Sequence, residues 1–198
     1  MITIMTMIVC YILIWIAFFI GYRFVSIKNG ASMKFKKYLW NSRIDKMQYP
    51  PFTWVMKLAE KRNPIIILLV IVINSSMVIT EMLLGLLMVG PLFLLLQGFM
   101  VGALIAQADK KTQIFSFIVL IFELGSFATS CGLGLYLVAA LLFNGVPILE
   151  NVDVLIGSGL LWIPVVLLIL NGLFEGSGVL FGIEGVPGIR AVREKLYK

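Results

Sequence analysis

Long apolar runs separated by short polar segments make up this chain. A helix needs about 20 apolar residues to cross the roughly 30 Å of a bilayer's hydrocarbon core. Gly90-Pro91 divides the longest run, because proline lacks a backbone donor and disfavours helix at the residue before it. The pattern predicts transmembrane helices at about 2–22, 64–89, 91–108, 114–143 and 154–170.

The segment 23–63 is the most polar part of the chain and carries ten basic residues against two acids. Aromatic residues lie among these charges, a mixture that suits lipid headgroups, where rings are buried and charges reach phosphate. We expect an interfacial helix at 33–44 and a second short helix after Pro50-Pro51. The residues predicted to contact headgroups are Lys34, Lys36, Lys37, Trp40, Arg43 and Trp54.

Composition supports a membrane protein. Hydrophobic residues make up 61% and charged residues 13% of the 198 positions, and the mean hydropathy is +1.04. Soluble domains carry about 45–50% apolar and about 25% charged residues, and a chain of this length has too little interior to hide the excess from water. The first run has no charge before Arg23 and no small-residue cleavage site, so we expect a retained helix rather than a signal peptide. We predict an all-α integral membrane protein with a single domain over residues 1–198.

The distribution of the sixteen Lys and Arg residues predicts the orientation of the chain. Cytoplasmic segments of membrane proteins are enriched in Lys and Arg. Five helices with the N-terminus outside put the 23–63 segment, the 109–113 turn and a basic tail at 171–198 in the cytoplasm, and with them all sixteen basic residues. We therefore predict a multi-pass protein of the cell membrane, with a cytoplasmic C-terminus and anionic headgroups as lipid partners. A nucleic-acid partner is disfavoured, because topology accounts for the positive charge.

Two acids lie inside predicted transmembrane helices, Glu81 in the second and Glu123 in the fourth. An ionised carboxylate there costs at least about 3 kcal/mol unless it is paired, hydrated or protonated. No Lys or Arg lies at a comparable depth, so we expect no ion-pair partner, and instead protonation or hydrogen bonds. Glu175, in the glycine-rich tail, is a third candidate. The expected hydrogen-bonding partners are Asn74, Ser75, Ser76, Gln97, Ser126 and Thr129.

Two pairs of glycines have the four-residue spacing that lets helix backbones approach closely. Gly98 and Gly102 lie in the third predicted transmembrane helix, and Gly178 and Gly182 lie near the tail. Each pair predicts a packing contact, either within the fold or between subunits. Further glycines between 125 and 134 predict a bend or break in the fourth transmembrane helix.

Groups for catalysis are missing from the sequence. The chain contains no histidine, which excludes a Ser-His dyad and the zinc motif HExxH, and it has no phosphate-binding Walker motif. We predict a non-enzymatic protein with no catalytic residues, no metal ligands and no cofactors. Cys10 and Cys131 each lie in an apolar stretch, so we interpret them as small buried residues rather than a disulfide framework.

A series of motifs between 64 and 143 carries a family resemblance. Asn74-Ser75-Ser76 precedes a glycine-bearing run, the stretch 96–104 reads LQGFMVGAL, Phe122-Glu123-Leu124 follows, and Cys131-Gly132-Leu133-Gly134 ends the series. This series resembles the stage II sporulation protein M family of bacterial and archaeal membrane proteins, with Gln97 in place of the family's Asn and without its His-Gly pair. The resemblance implies a polytopic protein without established catalysis, related to proteins of spore engulfment, transport or peptide maturation, with Glu123 at a family position.

Two hypotheses for function follow. In the first, the chain is a non-enzymatic subunit that assembles with other membrane proteins in a hetero-oligomeric complex, in a scaffold, assembly or remodelling role. In the second, it is a transporter or channel component in which Glu81 and Glu123 handle protons or cations. A broken fourth helix would favour the second hypothesis, because unwound backbone often lines a transport site.

Overall fold

The computed structural model describes residues 2–27 and 29–181, and every regular element in this part of the chain is an α-helix. The helices are α1 (Ile2–Ser26), α2 (Gly30–Met47), α3 (Phe52–Glu60), α4 (Ile65–Leu86), α5 (Gly90–Ile105), α6 (Lys110–Asn144), α7 (Ile148–Gly157) and α8 (Trp162–Leu180). Helices α1, α4, α6 and α8 are long and apolar enough to cross a membrane, and α5 is a shorter apolar helix. The prediction of an all-α membrane protein is confirmed, whereas the number of crossings and the orientation stay predictions.

Helices α4 and α6 run side by side in the same direction. Ser130 Oγ donates a hydrogen bond of 2.6 Å to the main-chain oxygen of Val78, and Gly134 lies against the main chain of Met82. A side chain at Gly134 would collide with that main chain, so the close contact depends on glycine. A break between 125 and 134 is not present, because α6 continues unbroken for 35 residues, and Gly132 and Gly134 lie against the main chains of neighbouring helices.

Helix α1 runs antiparallel to α6. Near the start of α1, the Thr6 hydroxyl donates to the Gly132 carbonyl oxygen at 3.0 Å, and near its end the Tyr22 hydroxyl donates to Gln113 Oε1 at 3.3 Å. Helix α2 packs beside this second end, where it shares an apolar cluster with α1 and α5. We call this end, which holds Arg23, Lys110 and Lys111, the basic end, and the other the opposite end. A shared basic end is what the predicted orientation requires.

Helix α5 packs along α1 through Gly98 and Gly102, both of which are buried. A Cβ at Gly98 would collide with the carbonyl oxygen of Ile14, and one at Gly102 would collide with that of Phe18. The turn before α5 lies where Gly90-Pro91 predicts it, because α4 ends at Leu86. The first glycine pair therefore joins two helices of the same chain.

The last long helix does not lie where the sequence predicts it. The predicted helix at 154–170 is interrupted, because α7 ends at Gly157 and α8 begins at Trp162. Between them Gly159 adopts a left-handed conformation, with φ of 77°, which glycine tolerates and which commonly ends a helix. The apolar run contains this break without any change in hydrophobicity.

The glycine-rich residues 171–180 belong to α8 rather than to a tail. Gly172 and Gly176 lie directly against Ile71 and Ile67 on α4. Because glycine has no side chain, these two antiparallel helices approach each other closely. Gly178 is buried in the same helix. The prediction of a cytoplasmic tail is therefore wrong for residues 171–180, and Glu175 lies within the bundle.

Apolar side chains fill the centre of the bundle and also cover its outside. The outer faces of α1, α5 and α6 expose residues such as Ile12, Leu96 and Ile121. Helices that are apolar on all sides are typical of proteins surrounded by lipid. The fully buried core residues shared by these helices include Ile14, Phe18, Leu94 and Leu124.

A charged cavity within the helix bundle as candidate functional site

A cavity of about 490 Å³ lies between α4, α5, α6 and α8, and residues of α2 and α3 form its wall at the basic end. Most of the lining is apolar. The polar side chains come from five helices that are far apart in the sequence, so tertiary packing alone brings them together. They are Arg43, Asn74, Ser76, Gln97, Glu123 and Glu175.

Glu123 and Glu175 face this cavity from α6 and α8, which pack side by side in opposite directions. The rings of Phe122 and Phe174, each one residue earlier, stack with centroids 5.2 Å apart and planes inclined by only 6°. Both carboxyl groups are half-buried, and they act on each other electrostatically. Two carboxylates held together in this way repel each other unless a positive charge lies near them.

Arg43 of α2 supplies a positive charge. Its side chain lines the same cavity, and both Glu123 and Glu175 interact with it electrostatically. Burial lowers the pKa of the Arg43 guanidinium, and the two carboxylates oppose that shift. Because the ordinary pKa of an arginine is far above neutral pH, the guanidinium stays charged. The expectation that no basic residue would reach Glu123 is therefore wrong, because α2 folds back against the bundle and brings a residue of the polar segment into the cavity.

Amide side chains complete the site. Asn74 Nδ2 donates a hydrogen bond of 3.2 Å to Glu175 Oε2. One helical turn before Glu175, Asn171 is fully buried; its amide interacts with the Glu175 carboxyl group, and its Oδ1 has no hydrogen-bond partner within residues 2–27 and 29–181. The buried Oε1 of Gln97 is likewise without a partner in this part of the chain. An unpaired buried polar group costs about 1–3 kcal/mol, so Gln97 Oε1, on a residue that lines the cavity, can accept a hydrogen bond from a ligand.

Glu81 does not belong to this cavity. It is fully buried in α4, towards the opposite end of the bundle, beside Cys10 and Cys131. Neither of its carboxyl oxygens has a hydrogen-bond partner among the residues that the structure describes. The two acids that the sequence analysis grouped together therefore have different surroundings, and Glu175 rather than Glu81 lies with Glu123.

Five of the six hydrogen-bonding partners that we predicted for Glu81 and Glu123 bond elsewhere, and the sixth, Gln97, has an unpaired Oε1 in the described part of the chain. The hydroxyl groups of Ser75, Ser76, Ser126 and Thr129 each donate to a main-chain carbonyl about one turn earlier in the same helix. This local bond satisfies a hydroxyl group wherever the helix lies. The Asn74 amide bonds to Glu175 instead, as described above.

The residues predicted to contact headgroups fall into two groups. Lys34, Lys36, Lys37 and Trp54 are exposed and Trp40 is half-buried. Exposure of these side chains at the basic end is what headgroup contact requires, and the contact itself stays a prediction. Arg43 differs from them, since it lines the cavity. Of the predicted packing glycines, Gly182 lies outside the described residues.

The fold and this cavity define an all-helical membrane protein that holds a charged site inside its bundle. Comparison of the chain with protein-family models, with curated proteins and with solved structures gives no significant match. The resemblance to the stage II sporulation protein M family therefore stays a prediction, and the function is argued from the site.

Proposed function

We propose that this protein is a multi-pass carrier or channel component that binds and moves a proton or a small cation at Glu123 and Glu175. The observation that carries the proposal is the shared cavity, in which carboxylates from α6 and α8 face the guanidinium of Arg43. When both carboxyl groups are ionised, these three side chains carry two negative charges and one positive charge, a net charge of −1. Surroundings of low dielectric constant strengthen the attraction between this net negative charge and a cation.

The position of the cavity supports the same function. Its lining extends from Arg43 and Phe52 at the basic end to Gln97, near the middle of α5. In the predicted orientation the basic end faces the cytoplasm, so the cavity extends from the cytoplasmic side towards the middle of the membrane. Acidic residues that face a cavity inside a helix bundle are typical of proton relays and ion pathways.

Flux measurements on the full-length protein in liposomes test the proposal. A membrane potential drives uptake, and dyes inside the liposomes report protons and alkali cations. We expect Glu123→Gln and Glu175→Gln each to reduce flux about tenfold or more, equivalent to at least about 1.4 kcal/mol. The matched control is Glu150→Gln, because Glu150 is exposed on α7 outside the cavity. Equal flux through all of these variants would overturn the proposal.

A second candidate is the assembly role predicted from the sequence. Helix α7 exposes the apolar residues Leu149, Val154 and Ile156 next to the exposed acids Glu150 and Asp153. Apolar and acidic side chains on one short helix form a surface on which another membrane protein can pack. Mild detergent extraction followed by native-gel separation and mass spectrometry tests this role. A defined complex that is lost on Leu149→Ser would support this role. Migration of the chain without any other protein would reject it.

A further inference from the structure

The cavity opens to the surface of the bundle beside Ser76 of α4, the helix that precedes α5. These helices touch at the opposite end of the bundle, where Gly90 lies against Gly85. Towards the basic end, residues of both helices line the cavity instead, among them Ser76 and Gln97. Ser76 is exposed, although it also lines the cavity, so it marks the opening. Because Ser76 and Gln97 lie near the middles of their helices, the opening lies at a depth where lipid tails surround the protein.

The polar part of the cavity accepts hydrogen bonds from a ligand. When ionised, the carboxylates of Glu123 and Glu175 accept hydrogen bonds and donate none. The buried Oε1 of Gln97 is a further acceptor, without a partner among the described residues. Acceptors of this number and charge fit a cation that carries several N–H groups.

The rest of the cavity is apolar. Met77, Val101, Leu120 and Phe127 are among the apolar residues that line it. A hydrated metal ion makes no use of such a wall, whereas an alkyl chain gains about 0.8 kcal/mol in transfer free energy for each buried CH₂ group. The cavity therefore combines a polar site for a cation with an apolar path towards the bilayer.

We propose that the cavity binds the primary ammonium group of an amphiphilic amine, which enters sideways beside Ser76 and leaves its alkyl chain in that opening. This inference rests on the proposed function only in using the same two carboxylates. The ammonium group donates to Glu123, Glu175 and Gln97 and balances the unneutralised negative charge beside Arg43. Either a free long-chain amine or the headgroup of an aminophospholipid supplies this chemistry.

Binding to the full-length protein in phosphatidylcholine nanodiscs tests the inference, with n-dodecylammonium as the probe and empty nanodiscs as the reference. We expect saturable binding that weakens about tenfold or more in Glu123→Gln and in Glu175→Gln. Glu150→Gln is the control, because this exposed residue lies outside the cavity. Dodecyltrimethylammonium, which has the same chain and charge but no N–H group, is expected to bind at least about tenfold more weakly. Equal binding of the two probes would overturn the proposal.

The side entrance has its own test, Ser76→Trp, which leaves the acceptors intact. Ser76 is exposed, so a large side chain there is compatible with folding. We expect binding of dodecylammonium to slow more than binding of short, water-soluble butylammonium. An unchanged rate for both probes would reject entry from the bilayer.

Two further comparisons distinguish the free amine from the aminophospholipid, and amine binding from the transport of protons or small cations. If phosphatidylethanolamine in the nanodisc competes with the probe, the aminophospholipid is the ligand; without competition, the free amine is. Proton or alkali-cation flux without any amine binding would overturn this inference and leave the proposed function standing. Amine binding that depends on both carboxylates, without any such flux, would support this inference and overturn the proposed function.

Discussion

Asn74 Nδ2 donates a hydrogen bond of 3.2 Å to Glu175 Oε2, across 101 positions of sequence. The bond joins α4 to α8 and fixes one carboxylate oxygen at the wall of the cavity. Hydrogen bonds to charged groups contribute about 1.5–3 kcal/mol to stability, more than those between neutral groups. The amide therefore both stabilises the bundle and orients a carboxylate of the proposed site.

Removal of this amide is expected to lower stability. Asn74→Ala should reduce the free energy of unfolding by about 1–2 kcal/mol, because Glu175 loses a donor. Thermal unfolding in detergent can be followed by labelling of the two cysteines, both of which are fully buried in the folded protein. Ser75→Ala is the control, since the Ser75 hydroxyl bonds only within its own helix turn. Equal melting temperatures for the two variants would contradict this assignment.

Arg43 is expected to be coupled energetically to Glu123. Arg43→Gln leaves two carboxylates together without their positive neighbour, so stability should fall, and Glu123→Gln in the same chain should restore part of the loss. The interaction energy from the double-mutant cycle is expected to be about 0.5–3 kcal/mol. Lys36→Gln, at an exposed position of the same helix, is the control for charge alone. Strict additivity of the two substitutions would show that the side chains do not interact.

Gly102 is expected to tolerate no side chain. In Gly102→Ala the new methyl group meets the carbonyl oxygen of Phe18, and backbone cannot move aside as a flexible side chain does. Overpacking of this kind typically costs about 1–3 kcal/mol. Gly157→Ala is the matched control, because nothing lies within 4 Å of a Cβ at that position. A melting temperature for Gly102→Ala at or above that of the control would disprove the close contact between α1 and α5.

Glu81 is expected to be dispensable for transport. It is fully buried outside the cavity, and its carboxyl oxygens have no hydrogen-bond partner in the described part of the chain. Glu81→Gln keeps the shape and removes the possibility of a buried charge, so stability should be unchanged or higher and flux unchanged. Glu81→Lys forces a charge into the same place and should prevent accumulation of folded protein. Loss of flux in Glu81→Gln with normal folding would add Glu81 to the site.

The start of α6 should respond to acid. Asp109 caps the helix through hydrogen bonds from the Thr112 amide and hydroxyl, each 2.9 Å long, and these bonds lower the pKa of its carboxyl. A lowered pKa in the folded protein means that the stabilisation is present above the unfolded value of about 3.9 and is lost as pH falls through the folded value. The chemical shift of the Thr112 amide proton reports this titration.

The control for this titration is Asp109→Asn, which keeps a capping oxygen but does not ionise. Its Thr112 amide should show no titration in the acidic range, and the pH dependence from this cap should disappear. A wild-type titration with a midpoint at or above the value of a free aspartate would contradict the lowered pKa.

Helical class and membrane character could be predicted because they depend on local features of the sequence. Runs of apolar residues form helices and require lipid wherever they lie in the fold. The turn at Gly90-Pro91 was also predictable, because proline acts on its own backbone and on its predecessor. The break around Gly159 was missed, since glycine permits a left-handed residue but does not require one.

The site was only partly predictable. Glu123 drew attention because a carboxylate in an apolar run is costly by itself. Arg43 was assigned to headgroups with its basic neighbours, because nothing local distinguishes a residue that turns into the bundle from one that faces outward. Glu175 was misplaced in the tail, since a glycine-rich stretch continues as a helix only when a neighbouring helix fills the space beside it.

Local sequence features account for the apolar helices, for the concentration of positive charge in a few segments, and for the acids at positions where a charge is costly. Which of these groups come into contact depends on the packing of the helices. Helix α1, for example, is apolar on all sides, so no polar face indicates its packing direction. Close contacts at Gly98, Gly134 and Gly172 instead determine which faces of neighbouring helices pack together. Those contacts bring Arg43 and Glu175 to Glu123, because the shapes of facing surfaces, which hydrophobicity does not encode, determine how apolar helices pack.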